Sequence, residues 1–181
     1  MERDVVERAR HGDRQAFEQL AADQLDRLYG SAALILHDHA LAEDAVQETL
    51  IAAWRDLPRL RDPDRFGPWL HGVLVHRCLD AARHAHAGPS RLPLPTWIAD
   101  RFSLETDVAE RDAIGRGFAR LAPRERAILV HRYYVGLTVP EIADAFRIPL
   151  GTAKSRLHAA EAAMRAAVDA DSRTAFVGDA T

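Results

Sequence analysis

A chain of 181 residues, 48% hydrophobic and 28% charged, has the composition of a globular protein and room for one medium domain or two small ones. No apolar run approaches the ~18 residues a membrane span needs, the charged start Met1-Glu-Arg-Asp-Val is no signal peptide, and the lone Cys78 excludes an intrachain disulfide or a CxxC zinc site. The expected location is therefore the cytoplasm, with no membrane insertion and no cofactor. The net charge of −3 is unevenly spread: residues 1–85 carry −4, residues 86–120 carry 0, residues 121–165 carry +3 and residues 166–181 carry −2. Only the third segment has the sign that neutralises phosphates.

Helical periodicity begins at Arg14. From there to Leu36, Phe17, Leu20, Ala21, Leu25, Leu28, Ala32 and Ile35 recur at spacings of three and four and form one apolar stripe. A second helix is predicted from about Ala40 to Asp56, with Leu41, Ala45, Val46, Thr49, Leu50, Ala53 and Trp54 inward. Leu57-Pro58 ends it. A third runs from roughly Pro63 to His84, with Phe66, Trp69, Leu70, Val73, Leu74, Cys78 and Leu79 as its stripe.

From His86 to about Glu105, Gly88-Pro89-Ser90 and Pro93-Leu94-Pro95 forbid a continuous helix. This stretch reads as an interdomain linker; it carries Trp97, Ile98 and Phe102, whose role the pattern leaves open. Periodicity resumes near Thr106, and the residues after Ala170 are small, polar and expected to fray. No period-two alternation marks a strand. The expected class is all-α, with two small helical domains, 1–85 and 107–170. A flexible linker, 86–106, joins them, and 171–181 is expected to be a disordered tail.

The most informative stretch runs from Thr138 to about Met164. Upstream, Pro123 opens a helix that carries Ile128, Leu129 and Tyr133 inward and ends at Gly136. Thr138-Val-Pro-Glu141 then has the spacing of a capping box: the hydroxyl accepts from the third helical N–H, and the carboxylate reaches back. A short helix to Phe146 buries Ile142 and Ala143. Arg147-Ile148-Pro149 makes a turn, and a last helix begins at Leu150 and runs to about Ala163. Ala153 and Leu157 face inward there. Thr152, Lys154, Ser155, Arg156 and His158 point mostly outward, where a recognition helix meets base edges and phosphates. This pattern predicts a DNA-binding helix-turn-helix.

Two further stretches carry a resemblance. Leu41-Ala-Glu-Asp-Ala-Val-Gln-Glu-Thr-Leu-Ile-Ala-Ala-Trp-Arg55 is similar to the helix with which bacterial sigma-70-type factors grip core RNA polymerase. The stretch from Arg65 to Arg83 is similar to the next helix of that family, which engages the promoter −10 element. The module from Leu121 through His158 resembles the domain that reads the −35 element. Short length and a two-domain plan match the extracytoplasmic-function (ECF) subgroup. The resemblance implies a sigma2-like bundle and a sigma4-like helix-turn-helix, with core polymerase and promoter DNA as partners. It also leaves room for an anti-sigma protein. It implies no catalysis: the chain would direct initiation and aid strand opening.

Residue by residue, the resemblance gives Asp44, Gln47 and Glu48 to the polymerase. It gives Arg65, His76, Arg77, Asp80 and Arg83 to the −10 element, in preference to Phe66 and Trp69, which fit the apolar stripe. It gives Arg147, Thr152, Lys154, Ser155, Arg156 and His158 to the −35 element. Three positions depart from the family pattern. His76 stands where Asn is usual, Arg147 replaces a turn Gly, and Ala159 follows His158 where Arg is frequent. The alternative reading is a helix-turn-helix repressor or activator working without polymerase, which leaves Ala42-Glu-Asp-Ala-Val-Gln-Glu48 unexplained. An enzyme is disfavoured, because no catalytic set, phosphate loop or metal-ligand spacing stands out among the nine histidines and the acids.

Overall fold

Aspartates set the first helix boundaries. In a computed structural model of the chain, residues 2–84 and 108–178 are described, those at 2, 108–113 and 171–178 by their backbone alone. The predicted linker, 86–106, with Trp97, Ile98 and Phe102, lies outside the described residues. A helix precedes the first one predicted: α1, Glu2–Arg10, which buries Val6 and Ala9. Asp13 then caps α2, Arg14–Leu36, by accepting from the Ala16 N–H at 3.0 Å. That bond, with Arg8 beside it, holds the Asp13 carboxyl below the usual carboxylate range. Asp38 caps α3, His39–Asp56, through the Leu41 N–H, also at 3.0 Å. Between α2 and α3 the chain reverses at His37, whose φ of 54° is left-handed. Two 3₁₀ turns, Leu57–Arg59 and Pro63–Arg65, lead into α4, Phe66–His84.

The second unit holds α5, Val108–Ala119, and α6, Pro123–Leu129, which continues as a π-helical turn, Val130–Tyr134. Then come α7, Val139–Ala145, and α8, Leu150–Gly178. The last helix runs well past Ala163 and through most of the stretch expected to be a tail. Its composition explains this: from Ala159 to Ala170 it is mostly alanine and other good helix formers, with no Gly or Pro. Among the described residues there is no strand, and no helix is long and apolar enough to cross a membrane.

Three side chains on the predicted stripes turn out differently. Leu25 is exposed, and Trp54 lies at the edge of the α2–α3 groove with its ring 5.1 Å from that of Phe17. Tyr133 is 57% exposed instead of inward. The π turn is the reason: Val135 N–H bonds back five residues to Val130, which rotates the following side chains and turns His131 inward instead.

The two units pack on one continuous apolar core. The end of α2 shows why: Gly30 through His37 are all buried, so both faces of this segment are covered. The predicted stripe accounts for one face, and α6 with the π turn covers the other. Arg126 of α6, only 8% exposed, donates to the Ile35 carbonyl at 2.7 Å and to the Leu121 carbonyl at 2.8 Å. It thereby satisfies a carbonyl in the last turn of α2, which has no partner within the helix. Arg27 of α2 donates to the Val135 carbonyl. On α4, Gly72 lets α7 approach: a Cβ there would stand 3.2 Å from the Ala145 Cα. Glycine costs about 1 kcal/mol against alanine inside a helix, and this crossing is what it permits.

Candidate nucleic-acid interface

The helix-turn-helix is built from local chemistry. The Thr138 N–H donates to the Glu141 carboxylate at 2.7 Å, and the Glu141 N–H points back to the Thr138 hydroxyl at 3.4 Å. The Thr138 hydroxyl, then its backbone, holds the Glu141 carboxyl below its ordinary value. Ile142 and Ala143 are buried, as expected. At the far end of α7, Arg147 N–H bonds Asp144 and Ile148 N–H bonds Ala143, at 3.1 and 3.0 Å. These are the two bonds of a Schellman cap, whose turning residue is usually glycine. Here that residue is Arg147, with φ 52°.

Arg147→Gly is therefore expected to act in two opposite ways. Relieving the left-handed strain should stabilise the fold by up to about 1 kcal/mol, raising the melting temperature by about 2–4 °C. Losing the cation should flatten the log-affinity against log-salt slope for DNA by about one unit. Calorimetry and a salt titration check the pair; a less stable variant with an unchanged slope contradicts both.

In α8, Ala153, Leu157 and Ala160 are buried, which turns the opposite side outward. Lys154, Ser155, Arg156 and His158 are exposed and Thr152 is half-buried. The Ser155 hydroxyl donates to the Thr152 carbonyl at 3.1 Å. The six side chains expected at the −35 element thus lie along one turn and the start of one helix.

The five −10 candidates are not gathered on one open face. Arg65 forms an ion pair with Asp144 of α7 at 2.7 Å. His76 is half-buried beside Ala145 and Arg147. Arg77 stands 3.8 Å from Glu48, and Arg83 pairs with Asp80. Arg65 and Arg147, expected at opposite promoter elements, line the same cleft of about 420 Å³, with Trp69 and Gly72 on its wall. Arg61, in the connection between the two 3₁₀ turns, lines it too.

On α3, Asp44, Gln47 and Glu48 are exposed along one side, as their spacing predicts. Ile51, 70% exposed, and the exposed part of Trp54 continue that side. The sequence pattern does not single out Ile51, but its place three residues after Glu48 and seven after Asp44 puts it on this side.

Against known proteins, the chain matches the family model for sigma-70 region 2 over residues 20–87 and that for sigma-70 region 4 over residues 111–164. The chain belongs to the sigma-70 family. It is 33% identical over 154 residues to the ECF RNA polymerase sigma factor SigM of Mycobacterium tuberculosis, covering 83% of this chain and 76% of SigM. To the RNA polymerase sigma-H factor of Pseudomonas aeruginosa it is 28% identical over 176 residues, 88% of this chain and 90% of that one. Among solved structures, CnrH in complex with the cytosolic domain of CnrY superposes with a TM-score of 0.65 at 27% identity, covering 94% of this chain and 98% of that one. RpoE of Bartonella quintana, solved with the anti-sigma factor NepR, has the same fold, with a TM-score of 0.60 at 18% identity, covering 84% and 96%. This sigma factor of the ECF subgroup works with core RNA polymerase and promoter DNA. A regulator acting without polymerase does not account for its region 2 match.

Proposed function

We propose that α8 and the Arg147 turn of this sigma factor read the −35 element, α4 and the loop before it hold the −10 strand, and the exposed side of α3 docks on core polymerase. In this reading residues 1–85 form the −10 and polymerase unit and residues 107–170 the −35 unit. The observation that supports it best is the exposed start of α8, with Lys154, Ser155, Arg156 and His158 outward behind a formed Thr138–Glu141 capping box. Asp44, Gln47 and Glu48 supply acceptors for a basic polymerase surface, and Ile51 supplies an apolar contact among them. The chain contributes binding and strand selection rather than bond chemistry, in the cytoplasm beside the polymerase. CnrH is known bound to the cytosolic domain of CnrY, and a protein partner of the anti-sigma type belongs to the same reading.

The two promoter elements, centred about 25 base pairs apart, are separated by about 85 Å at 3.4 Å per base pair. Arg65 and Arg147 share one cleft. The two units therefore separate before both elements are held.

The test is reconstitution. The chain with core polymerase should initiate at a defined promoter position, and neither component alone should do so. Asp44→Arg should weaken polymerase binding at least about tenfold with an unchanged melting temperature, since Asp44 is exposed. Failure to co-purify with core polymerase, with duplex binding retained, would overturn the reading in favour of a regulator that works alone.

A further inference from the structure

The two units meet on histidines. His71 of α4 is 1% exposed, and neither of its ring nitrogens has a hydrogen-bond partner among the described residues. Its ring stands edge-on to that of His131 in the π turn, with centroids 5.9 Å apart. His37, in the left-handed cap of α2, is buried with its ring 5.9 Å from that of Phe118 of α5, and its Nε2 likewise has no partner among the described residues. A buried imidazole without acceptors is tolerated only while neutral.

The surrounding charges do not favour a proton on either ring. His71 faces His131 from the π turn and Arg27 from α2, and His37 faces Arg126 from α6. Further along α4, His76 faces Arg147 and Arg77, and also the acid Asp80. His131 differs: Nδ1 lies 2.7 Å from the Ala127 carbonyl and Nε2 3.2 Å from the His71 carbonyl. Those carbonyls favour a proton, but burial outweighs them.

We propose that the junction between the two units is a proton-operated latch, which neutral His37 and His71 keep shut and their protonation opens, freeing Arg65, His76 and Arg147. Burial, ahead of the nearby charges, pushes His37 down to about 4 and His71 down to about 3, from 6.5. A group depressed in the closed state favours closure above 6.5 and opposes it as pH falls below 6.5. Between pH 7.5 and 5.5, each ring that returns to water shifts the opening equilibrium about tenfold, and the pair about a hundredfold. The use of this opening in promoter binding rests on the reading of α4 and α8 above. The opening itself requires neither DNA nor polymerase.

Energy transfer between dyes at Gln19→Cys and Ala162→Cys in the full chain reads the latch. Both positions are exposed, one on each unit. The native Cys78 is buried with its thiol pushed up to about 12, so it stays unlabelled. Transfer should change between pH 7.5 and 5.5 at constant helical circular dichroism. In the His37→Asn/His71→Leu background the closed value should persist at pH 5.5. Gly72→Leu, which drives a side chain into Ala145, should give the open value at both pH values. Equal transfer at the two pH values in the parent, the same pH response without the two histidines, or no effect of Gly72→Leu would each overturn the latch. Because the measurement contains no DNA, it can succeed where the promoter reading fails, and the reverse.

Discussion

Replacing Arg126 with methionine is expected to lower the melting temperature by about 6–12 °C. The side chain is almost wholly buried and bonds the carbonyls of Ile35 and Leu121. No ion pair with a carboxylate accompanies it among the described residues. Burial pushes the guanidinium down to about 10, so it remains charged at neutral pH. Methionine fills similar space and leaves both carbonyls short of a donor. Charge-assisted bonds of this kind contribute about 1.5–3 kcal/mol each, so about 3 kcal/mol in total is a conservative loss. At about 2–4 °C per kcal/mol for a chain of this length, that is the stated range.

The control is Asp144→Ala. It breaks the Arg65–Asp144 ion pair, which is shorter on paper than many but about half exposed on both sides. Exposed pairs contribute about 0–1 kcal/mol, so this variant should move the midpoint by only about 4 °C at most. Scanning calorimetry on the two variants compares the buried strut with the exposed bridge. Equal, small shifts would mean that the Arg126 strut does not hold the units together. If Arg126→Met opens the junction at pH 7.5 in the energy-transfer assay, the strut and the histidines hold the same contact, since Arg126 lies beside His37.

The second large effect concerns α8. Lys154→Ala and Arg156→Ala remove two exposed cations, and should leave the stability of the fold within about 0.5 kcal/mol of the parent. If both contact phosphates, the double variant should flatten the salt slope of promoter binding by about two units, uniformly across sequences. If either contacts a base edge, specificity should relax at one base pair by about 1–3 kcal/mol, roughly fivefold to 150-fold. The measurement is holoenzyme binding to a panel of −35 variants over a range of salt. An unchanged slope and an unchanged preference would remove this helix from DNA recognition.

Much of the recognition unit was legible in the amino-acid sequence, because its determinants are local. Thr138 and Glu141 are three apart, so the capping box forms within one helical turn. Pro149 and Ala153/Leu157 set the start and the inward side of α8, which leaves Lys154 and Arg156 outward. The strain at Arg147 was foreseeable from a cation standing where a turn needs a left-handed residue. The side of α3 that carries Asp44, Gln47 and Glu48 follows from the same arithmetic.

The interfaces between elements were not legible in this way. Periodicity tells that a helix has an apolar side, but not what covers the other sides. Leu34, Leu36 and His37 lie off the predicted stripe of α2, yet they are buried because a second unit lands there. Tyr133 faces out and His131 in, because one π turn shifts the register of everything after it. The burial of His71 depends on a helix more than fifty residues away in the chain. Sequence alone therefore determined the all-helical elements, the helix-turn-helix and its outward cations, all products of spacings within a few turns. The tertiary structure alone decided that the −10 and −35 candidates Arg65 and Arg147 share a cleft and that His37 and His71 lose their water. Both depend on long-range packing, which no local spacing encodes.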